Sequence, residues 1–305
     1  MPTNLFSSIK PLTRGSRVAL VAPSGTLTNR SQVKQAERNA KSLGWIPVVG
    51  TNINATHGYL AGTDQERLAD LNTAIRDDSI DGIWCVRGGY GAMRLLDKID
   101  YAGLRDNPRP LIGFSDITAL HAAIQRECGI NSFHGPTARG KLSDFSRNSL
   151  IAAVTNHNDP CGIAENGRII REGKARGRLA GGNLALITAL QGTPYSVDFD
   201  GAILVIEDIG EAVYRIDRML RQLLLGGSLQ KCAALVAGDF KAPTGDKTFD
   251  PRAVDELLAE AADIAGIPCL AGAPFGHIAD QWTIPIGASA QVDTSDLSLR
   301  VITGG

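Results

Sequence analysis

The stretch LIGFSDITALHAAIQR, residues 111–126, joins two sequence patterns that belong to different kinds of secondary structure. Residues 111–113 form the short apolar run of a buried strand, whereas residues 116–126 have the apolar spacing of a helix. Short apolar runs alternate with longer helical patterns along the rest of the chain. This alternation predicts an α/β fold built on a parallel sheet.

Outward from this stretch, the same reasoning places the other elements. In the N-terminal half we expect strands at residues 18–21, 46–49 and 82–86, and helices at 30–43, at 64–76 and through Met93, Leu95 and Leu96. In the C-terminal half we expect helices at 179–190, 211–225 and 251–263, strands at 202–206 and 233–237, and short strands within 283–302. The polar, turn-rich residues 141–176 then form a connector between an N-terminal domain (1–140) and a C-terminal domain (177–305).

Composition excludes several classes of partner. The 305 residues contain 31 Lys and Arg against 32 Asp and Glu, so the net charge of −1 gives no long-range attraction for nucleic acid or an anionic membrane. No window is long and apolar enough to span a membrane, and no secretory signal pattern precedes the first strand. The five cysteines are scattered without a C-x-x-C pair, so we expect neither disulfides nor a zinc site. A cytoplasmic protein without a metal fits these features.

The first candidate for chemistry is Ser115, in the sequence Gly113-Phe114-Ser115-Asp116 between a strand and a helix. A serine at such a junction has its hydroxyl above the sheet, with helix N–H groups nearby to stabilise an oxyanion. The segment resembles a nucleophile elbow but keeps only the first glycine of G-x-S-x-G. The simpler interpretation is that Ser115 caps the helix.

Two further segments place unusual residues at strand ends, where ligands bind in open α/β sheets. The loop RGGYG, residues 87–91, lets the backbone approach a ligand closely, although a plain turn explains it equally well. Glu207 and Asp208 follow the apolar run AILVI, where a carboxylate can orient a histidine or simply interact with the next helix.

Five histidines are available as a general base, namely His57, His121, His134, His157 and His277. His121 lies six residues after Ser115 on the same predicted helix, so it points away from the serine. His134 and His277 both lie in predicted small-residue turns that suit a site. The residue patterns alone do not decide between these two.

Six blocks taken together resemble the LD-carboxypeptidase family of serine peptidases. They are VALVAPSG (18–25), VRGGYGAMRLL (86–96), LIGFSDITAL (111–120), GGNLALI (181–187), LVIEDIGEAVYRIDRMLRQL (204–223) and GAPFGH (272–277). The resemblance implies an N-terminal parallel-sheet α/β domain and a C-terminal α/β domain with a small barrel-like sheet. The active site would lie in the cleft between them.

The resemblance also implies roles for particular residues. Ser115 would be the nucleophile, Glu207 the charge-relay acid and His277 the base. The glycine loop, through Gly88 and Gly89, and the N–H group of Asp116 would bind the substrate and its oxyanion.

For the substrate, the resemblance implies a cytoplasmic murein tetrapeptide, L-Ala-γ-D-Glu-meso-diaminopimelate-D-Ala, that loses its terminal D-Ala in peptidoglycan recycling. It implies a homodimer and no cofactor. The basic residue that meets the terminal carboxylate is not identified by the sequence.

Two other functions compete with this one. Immunity hydrolases of the same family cleave a peptidyl-nucleotide antibiotic of the microcin C type, but they are typically longer and carry an aromatic loop residue for the nucleobase. The tryptophans available in this sequence for such a contact are only Trp45, Trp84 and Trp282. A two-domain binding protein without chemistry would explain the α/β pattern and a cleft, but such proteins are usually exported.

Overall fold

A computed structural model describes residues 9–246 and 249–302 of the chain, which form two sheets surrounded by helices. The strands are β1 (Arg17–Val21), β2 (Ile46–Val49), β3 (Gly82–Cys85), β4 (Leu111–Gly113), β5 (Ser132–His134), β6 (Gly162–Ile163), β7 (Arg168–Arg171), β8 (Lys174–Asn183), β9 (Ala202–Ile209), β10 (Ala234–Lys241), β11 (Cys269–Ala271), β12 (Ile284–Ile286), β13 (Ser289–Asp293) and β14 (Ser298–Val301). The α-helices are α1 (Ser31–Ser42), α2 (Asp64–Arg76), α3 (Tyr101–Asp106), α4 (Thr118–Cys128), α5 (Asp144–Ile151), α6 (Leu184–Ala189), α7 (Val213–Leu225) and α8 (Pro251–Ala265).

The first sheet has the strand order β12-β5-β4-β3-β1-β2. Strands β1 to β5 are mutually parallel, as the alternating pattern predicted, whereas β12 pairs antiparallel with β5. Because β12 comes from the C-terminal half of the chain, the two halves share this sheet. The α/β fold with a parallel sheet is confirmed.

The second sheet has the order β6-β14-β13-β8-β9-β10-β11-β7. Its centre, β8 to β11, is parallel, and antiparallel strands flank it on both sides. Strands β6 and β7 form its two edges, so within the described ranges the sheet is open. The barrel-like closure that the family resemblance implied is therefore absent from this part of the chain.

Residues 179–190 are not one helix, which corrects the sequence prediction. Residues up to Asn183 belong to β8, and only Leu184–Ala189 are helical. Gly181 and Gly182 have φ angles of +115° and +134°, which an α-helix does not allow, and a side chain on Gly181 would collide with the Val205 carbonyl. Gly181 thus allows close packing of β8 on β9, and Gly182 allows close packing of β8 on Thr118 of α4.

Other differences concern short elements. The polar residues 141–176 contain helix α5, strands β6 and β7 and the start of β8, rather than only turns. The helix predicted through Met93 is a 3₁₀ helix, Ala92–Lys98, and β5 was not predicted because three residues are too few to show a period. Strand β9 extends to Ile209, so Glu207 and Asp208 lie inside it rather than after it.

Candidate active site

Ser115 lies at a sharp elbow between β4 and α4. Its φ angle is +67°, a left-handed conformation that is uncommon for a residue other than glycine and occurs at functional turns. A short 3₁₀ helix, Ser115–Ile117, continues into α4, and neither helix start has a side-chain cap. The capping interpretation of Ser115 is therefore wrong. Its hydroxyl lies 3.2 Å from His277 Nε2 instead.

His277 connects this elbow to the second sheet. Its Nδ1 lies 2.7 Å from Oε2 of Glu207, which is fully buried in β9. Because a carboxylate only accepts hydrogen bonds, Nδ1 donates to it and Nε2 presents its lone pair to Ser115. Gly276 precedes the histidine with φ +105°, and a Cβ there would lie 2.9 Å from the Glu207 Cβ. Only glycine allows the loop to approach the glutamate so closely.

The glycine loop packs directly on the serine elbow. A Cβ on Gly88 would lie 3.0 Å from Ser115 Cβ and 3.3 Å from the Asp116 backbone nitrogen. Gly89 has φ +111° and crosses closely over Gly25. Gly88 and the Asp116 N–H, two of the groups that the resemblance implied for the substrate and its oxyanion, therefore lie beside Ser115, and Gly89 follows directly in the loop.

Asp116 and Asp208, which follow Ser115 and Glu207 in the sequence, form hydrogen bonds that hold the segments around the site. Asp116 Oδ2 accepts a hydrogen bond of 2.8 Å from the Ala92 N–H, which joins the elbow to the segment after the glycine loop, and burial raises the pKa of this carboxyl. Asp208 accepts from the Asn183 side chain and the Ala185 N–H, both at 2.9 Å. Burial and the adjacent Glu207 raise the pKa of Asp208 to about 6. Asp208 thus caps the preceding helix α6, a contact that its position in sequence did not reveal.

His121 and His134, the other histidines near the elbow, are both buried in the protein interior. His121 bonds to Ser132 Oγ at 2.8 Å and to the Gly113 carbonyl at 2.9 Å, and burial lowers its pKa to about 4. His134 ends β5 rather than lying in a turn. Neither of its ring nitrogens has a hydrogen-bond partner among the residues that the structure describes, and burial holds its pKa well below the usual value. Of these two and His277, only His277 bonds to the serine.

A cleft of about 390 Å³ opens beside His277. Its lining includes Phe114, Thr137, Arg139, Lys141, His277 and Gln281. Across residues 9–246 and 249–302, no group of three or more His, Cys, Asp or Glu side chains is arranged to hold a metal ion. None of the helices in these ranges is long and apolar enough to cross a membrane.

A serine hydroxyl, an imidazole and a buried carboxylate in hydrogen-bonded series form the arrangement that serine hydrolases use for acyl transfer. Comparison with known families identifies a carboxypeptidase. Residues 18–135 match the LD-carboxypeptidase N-terminal domain and residues 176–292 match the LD-carboxypeptidase C-terminal domain. The chain belongs to the LD-carboxypeptidase family.

Individual relatives match over nearly their full length. A probable murein peptide carboxypeptidase from Bacillus subtilis is 34% identical, with 97% of this chain and 94% of the relative covered. The crystal structure of a muramoyltetrapeptide carboxypeptidase from Oxalobacter formigenes superimposes with a TM-score of 0.81 at 30% identity, covering 94% of this chain and 98% of that one. An MccF-like protein from Bacillus anthracis superimposes with a TM-score of 0.89 at 25% identity, covering 97% and 99%.

Proposed function

We propose that this protein is a serine-type LD-carboxypeptidase that releases the terminal D-Ala from murein tetrapeptides. The observation that carries the proposal is the series of hydrogen bonds Ser115–His277–Glu207 in a chain of this family. Relatives named for murein peptides support the substrate class. The family resemblance implies the particular peptide, L-Ala-γ-D-Glu-meso-diaminopimelate-D-Ala. A cytoplasmic location and a homodimer remain predictions from the family resemblance.

Acylation starts from the geometry of the three side chains. Ser115 Oγ attacks the carbonyl carbon before D-Ala while His277 Nε2 takes the hydroxyl proton. Glu207 holds the imidazole through Nδ1 and stabilises the imidazolium that forms. The N–H groups of Gly89 and Asp116 stabilise the negative charge on the carbonyl oxygen, an interaction whose loss typically costs on the order of 10²–10³ in turnover.

The intermediate then collapses and the amide C–N bond breaks. The departing amino group of D-Ala takes the proton from His277 Nε2, which leaves the tripeptide esterified to Ser115. A water molecule, deprotonated by His277, attacks the ester carbonyl and releases the tripeptide, and the proton returns to Ser115. The cycle needs no cofactor.

The second candidate, hydrolysis of a peptidyl-nucleotide antibiotic, finds less support in this chain. A nucleobase is usually held by stacking on an exposed aromatic face. All three tryptophans are buried, and the exposed Tyr90 of the glycine loop packs edge to face against Tyr59. We therefore favour the murein peptide.

The decisive experiment compares D-Ala release by the wild type and by Ser115→Ala. We expect the variant to fold normally and to lose turnover on the order of 10⁴-fold or more, because the nucleophile is gone. Ser79→Ala, an exposed loop serine, is the matched control and should remain fully active. A folded Ser115→Ala protein with near wild-type turnover would remove the mechanism.

The choice of substrate is tested with the same assay. A site that places the carbonyl of an L-centre beside Ser115 misplaces that of a D-centre, and an error near 1 Å costs about 10²-fold. We therefore expect slow cleavage of a peptide that ends in D-Ala-D-Ala. Comparable rates on the two peptides, or faster cleavage of an aminoacyl-nucleotide analogue, would contradict the proposed function.

A further inference from the structure

The segment of residues 136–140, which follows β5, forms one wall of the cleft beside His277. Its backbone is held firmly. Asn39, buried on α1, donates to two carbonyls of the segment at 2.7 and 2.6 Å, and Trp84 Nε1 donates to a third at 2.7 Å. The Arg139 N–H also bonds to the Val86 carbonyl at the end of β3. The backbone of Arg139 is therefore held in place without a ligand.

Arg139 is half-buried and lines the cleft together with His277. No carboxylate among residues 9–246 and 249–302 forms an ion pair with it, and its guanidinium makes no hydrogen bond within these ranges. Burial, with a smaller effect of the nearby Arg87 charge, lowers the pKa of Arg139. A partly buried cation without a counter-ion is costly, and an anion in the cleft would offset that cost.

We propose that the Arg139 guanidinium binds the C-terminal carboxylate of the peptide substrate and thereby makes this enzyme a carboxypeptidase. The assignment rests on the proposed function, because it takes the peptide to be cut beside Ser115. A guanidinium holds a planar carboxylate through two parallel hydrogen bonds, which fixes the position of the terminal residue as well as its charge.

The two neighbouring cations suit this role less well. Arg87 already donates from Nη1 to the Thr26 carbonyl, its Nε is buried without a partner among the described residues, and it is not part of the cleft lining. Lys141 lines the cleft but is exposed, and an exposed ammonium pairs weakly with a carboxylate. Arg87 instead adds positive charge next to Arg139, which strengthens the attraction for an anion.

The test compares the murein tetrapeptide with the same peptide ending in a carboxamide, with tripeptide formation as the readout. We expect the wild type to prefer the free carboxylate by about 10- to 100-fold in kcat/KM. In Arg139→Gln this preference should fall to near unity, mainly through KM, because the carboxylate keeps its charge throughout the reaction. Arg139→Lys should retain part of the preference.

Lys141→Gln is the matched control, since it removes one positive charge from the same cleft. It should keep the preference for the free carboxylate. The same loss of preference in Lys141→Gln, or an undiminished preference in Arg139→Gln, would overturn the assignment while leaving the proposed function intact. A wild type that forms no tripeptide from the tetrapeptide would overturn the proposed function, and this assignment with it.

Discussion

Glu207 shows at the level of a single residue how burial and chemistry combine. The carboxylate is fully buried and gives one oxygen to His277, while its other oxygen, Oε1, has no partner in the described part of the chain. A charge in this position is unfavourable unless a positive charge develops beside it. In the proposed reaction His277 supplies that charge as an imidazolium.

Glu207→Gln is expected to fold and to lose turnover by roughly 10⁴-fold. The comparable Asp→Asn substitution in a well-studied serine protease lowers turnover by this amount. The amide can donate to Nδ1, which then leaves a proton on Nε2 facing Ser115. Measurement of kcat, with circular dichroism to monitor the fold, checks this result. Near wild-type turnover in Glu207→Gln would exclude the relay role.

The identity of the base is tested by two histidine variants. His277→Ala should be at least as damaging as Glu207→Gln and should add little to Ser115→Ala, because the three residues act as a unit. His134→Ala is the control, and it should weaken binding or stability without abolishing turnover. If His134→Ala abolishes turnover while His277→Ala leaves it nearly unchanged, the base has been assigned to the wrong residue.

At the scale of elements, the junction of β4 and α4 depends on a buried histidine. His121, on α4, bonds to the carbonyl of Gly113 at the end of β4, just before the elbow that carries Ser115. Its second bond, to Ser132 Oγ, reaches β5. The neutral ring therefore ties together the helix and both strands that support the nucleophile.

This arrangement predicts a loss of stability in acid. The pKa of His121 is about 4 in the folded protein and near 6.5 when unfolded, so the unfolded chain binds the extra proton between these values. The stabilising contribution is complete above pH 6.5 and is lost as the pH falls toward 4, by about 3 kcal/mol in total. Denaturant unfolding at a series of pH values measures it.

The control for this prediction is His121→Gln, which keeps a donor and an acceptor but does not titrate. Burial, the largest cause of the lowered pKa of His134, is the same in both proteins, so the difference between them reports on His121 and on its charge interaction with His134. We expect the variant to lose less stability than the wild type over this pH range. Parallel curves for the two proteins would contradict the role of His121.

At the scale of the whole molecule, the site exists only because the two sheets meet. Ser115 lies at the elbow that follows β4 of the first sheet. Glu207 lies on β9 of the second sheet, and His277 lies in the loop after β11 of that sheet. Helix α4 contacts β8 at this junction, where Thr118 Oγ1 accepts a hydrogen bond of 2.9 Å from the Asn183 N–H. Gly182 lies in the same contact and leaves no room for a side chain.

Gly182→Ala should therefore move the two sheets apart. The added Cβ would collide with Thr118 Oγ1 and lie 3.0 Å from His134 Nδ1, at a φ of +134°. We expect a loss of about 1–3 kcal/mol of stability from the overpacking and a fall in kcat of about 10²-fold if the serine shifts by near 1 Å. Thermal unfolding and turnover, measured together, check both effects.

Gly192→Ala is the matched control. Gly192 also has a positive φ, +79°, but a Cβ there would meet no described atom within 4 Å. Gly192→Ala should lower the stability by about 1–2 kcal/mol through backbone strain and leave kcat unchanged. Equal losses of kcat in the two variants would show that strain in the chain, rather than separation of the sheets, reduces activity.

The sequence alone was sufficient for the class of fold and for most long elements. Helix α2 has the predicted bounds because its Thr63–Glu66 capping box and apolar spacing are local features. Ordered motifs were sufficient to indicate the family and, through it, to assign Ser115, Glu207 and His277 as candidates. Residue patterns alone left His134 and His277 equivalent, because both lie near glycine in short segments.

Only the tertiary structure decided which of these residues meet. His277 is 162 residues from Ser115 and 70 from Glu207, and the distances between them depend on the packing of two sheets rather than on any local pattern. The same holds for β12, which joins the first sheet from the C-terminal half. It also holds for Arg139, whose lack of a counter-ion in the described part of the chain is visible only once its neighbours are placed. The periodicity of a segment indicates its own secondary structure and which of its faces is buried. Contacts between distant segments depend on the shapes of the surfaces that pack together, and the sequence pattern does not show these shapes.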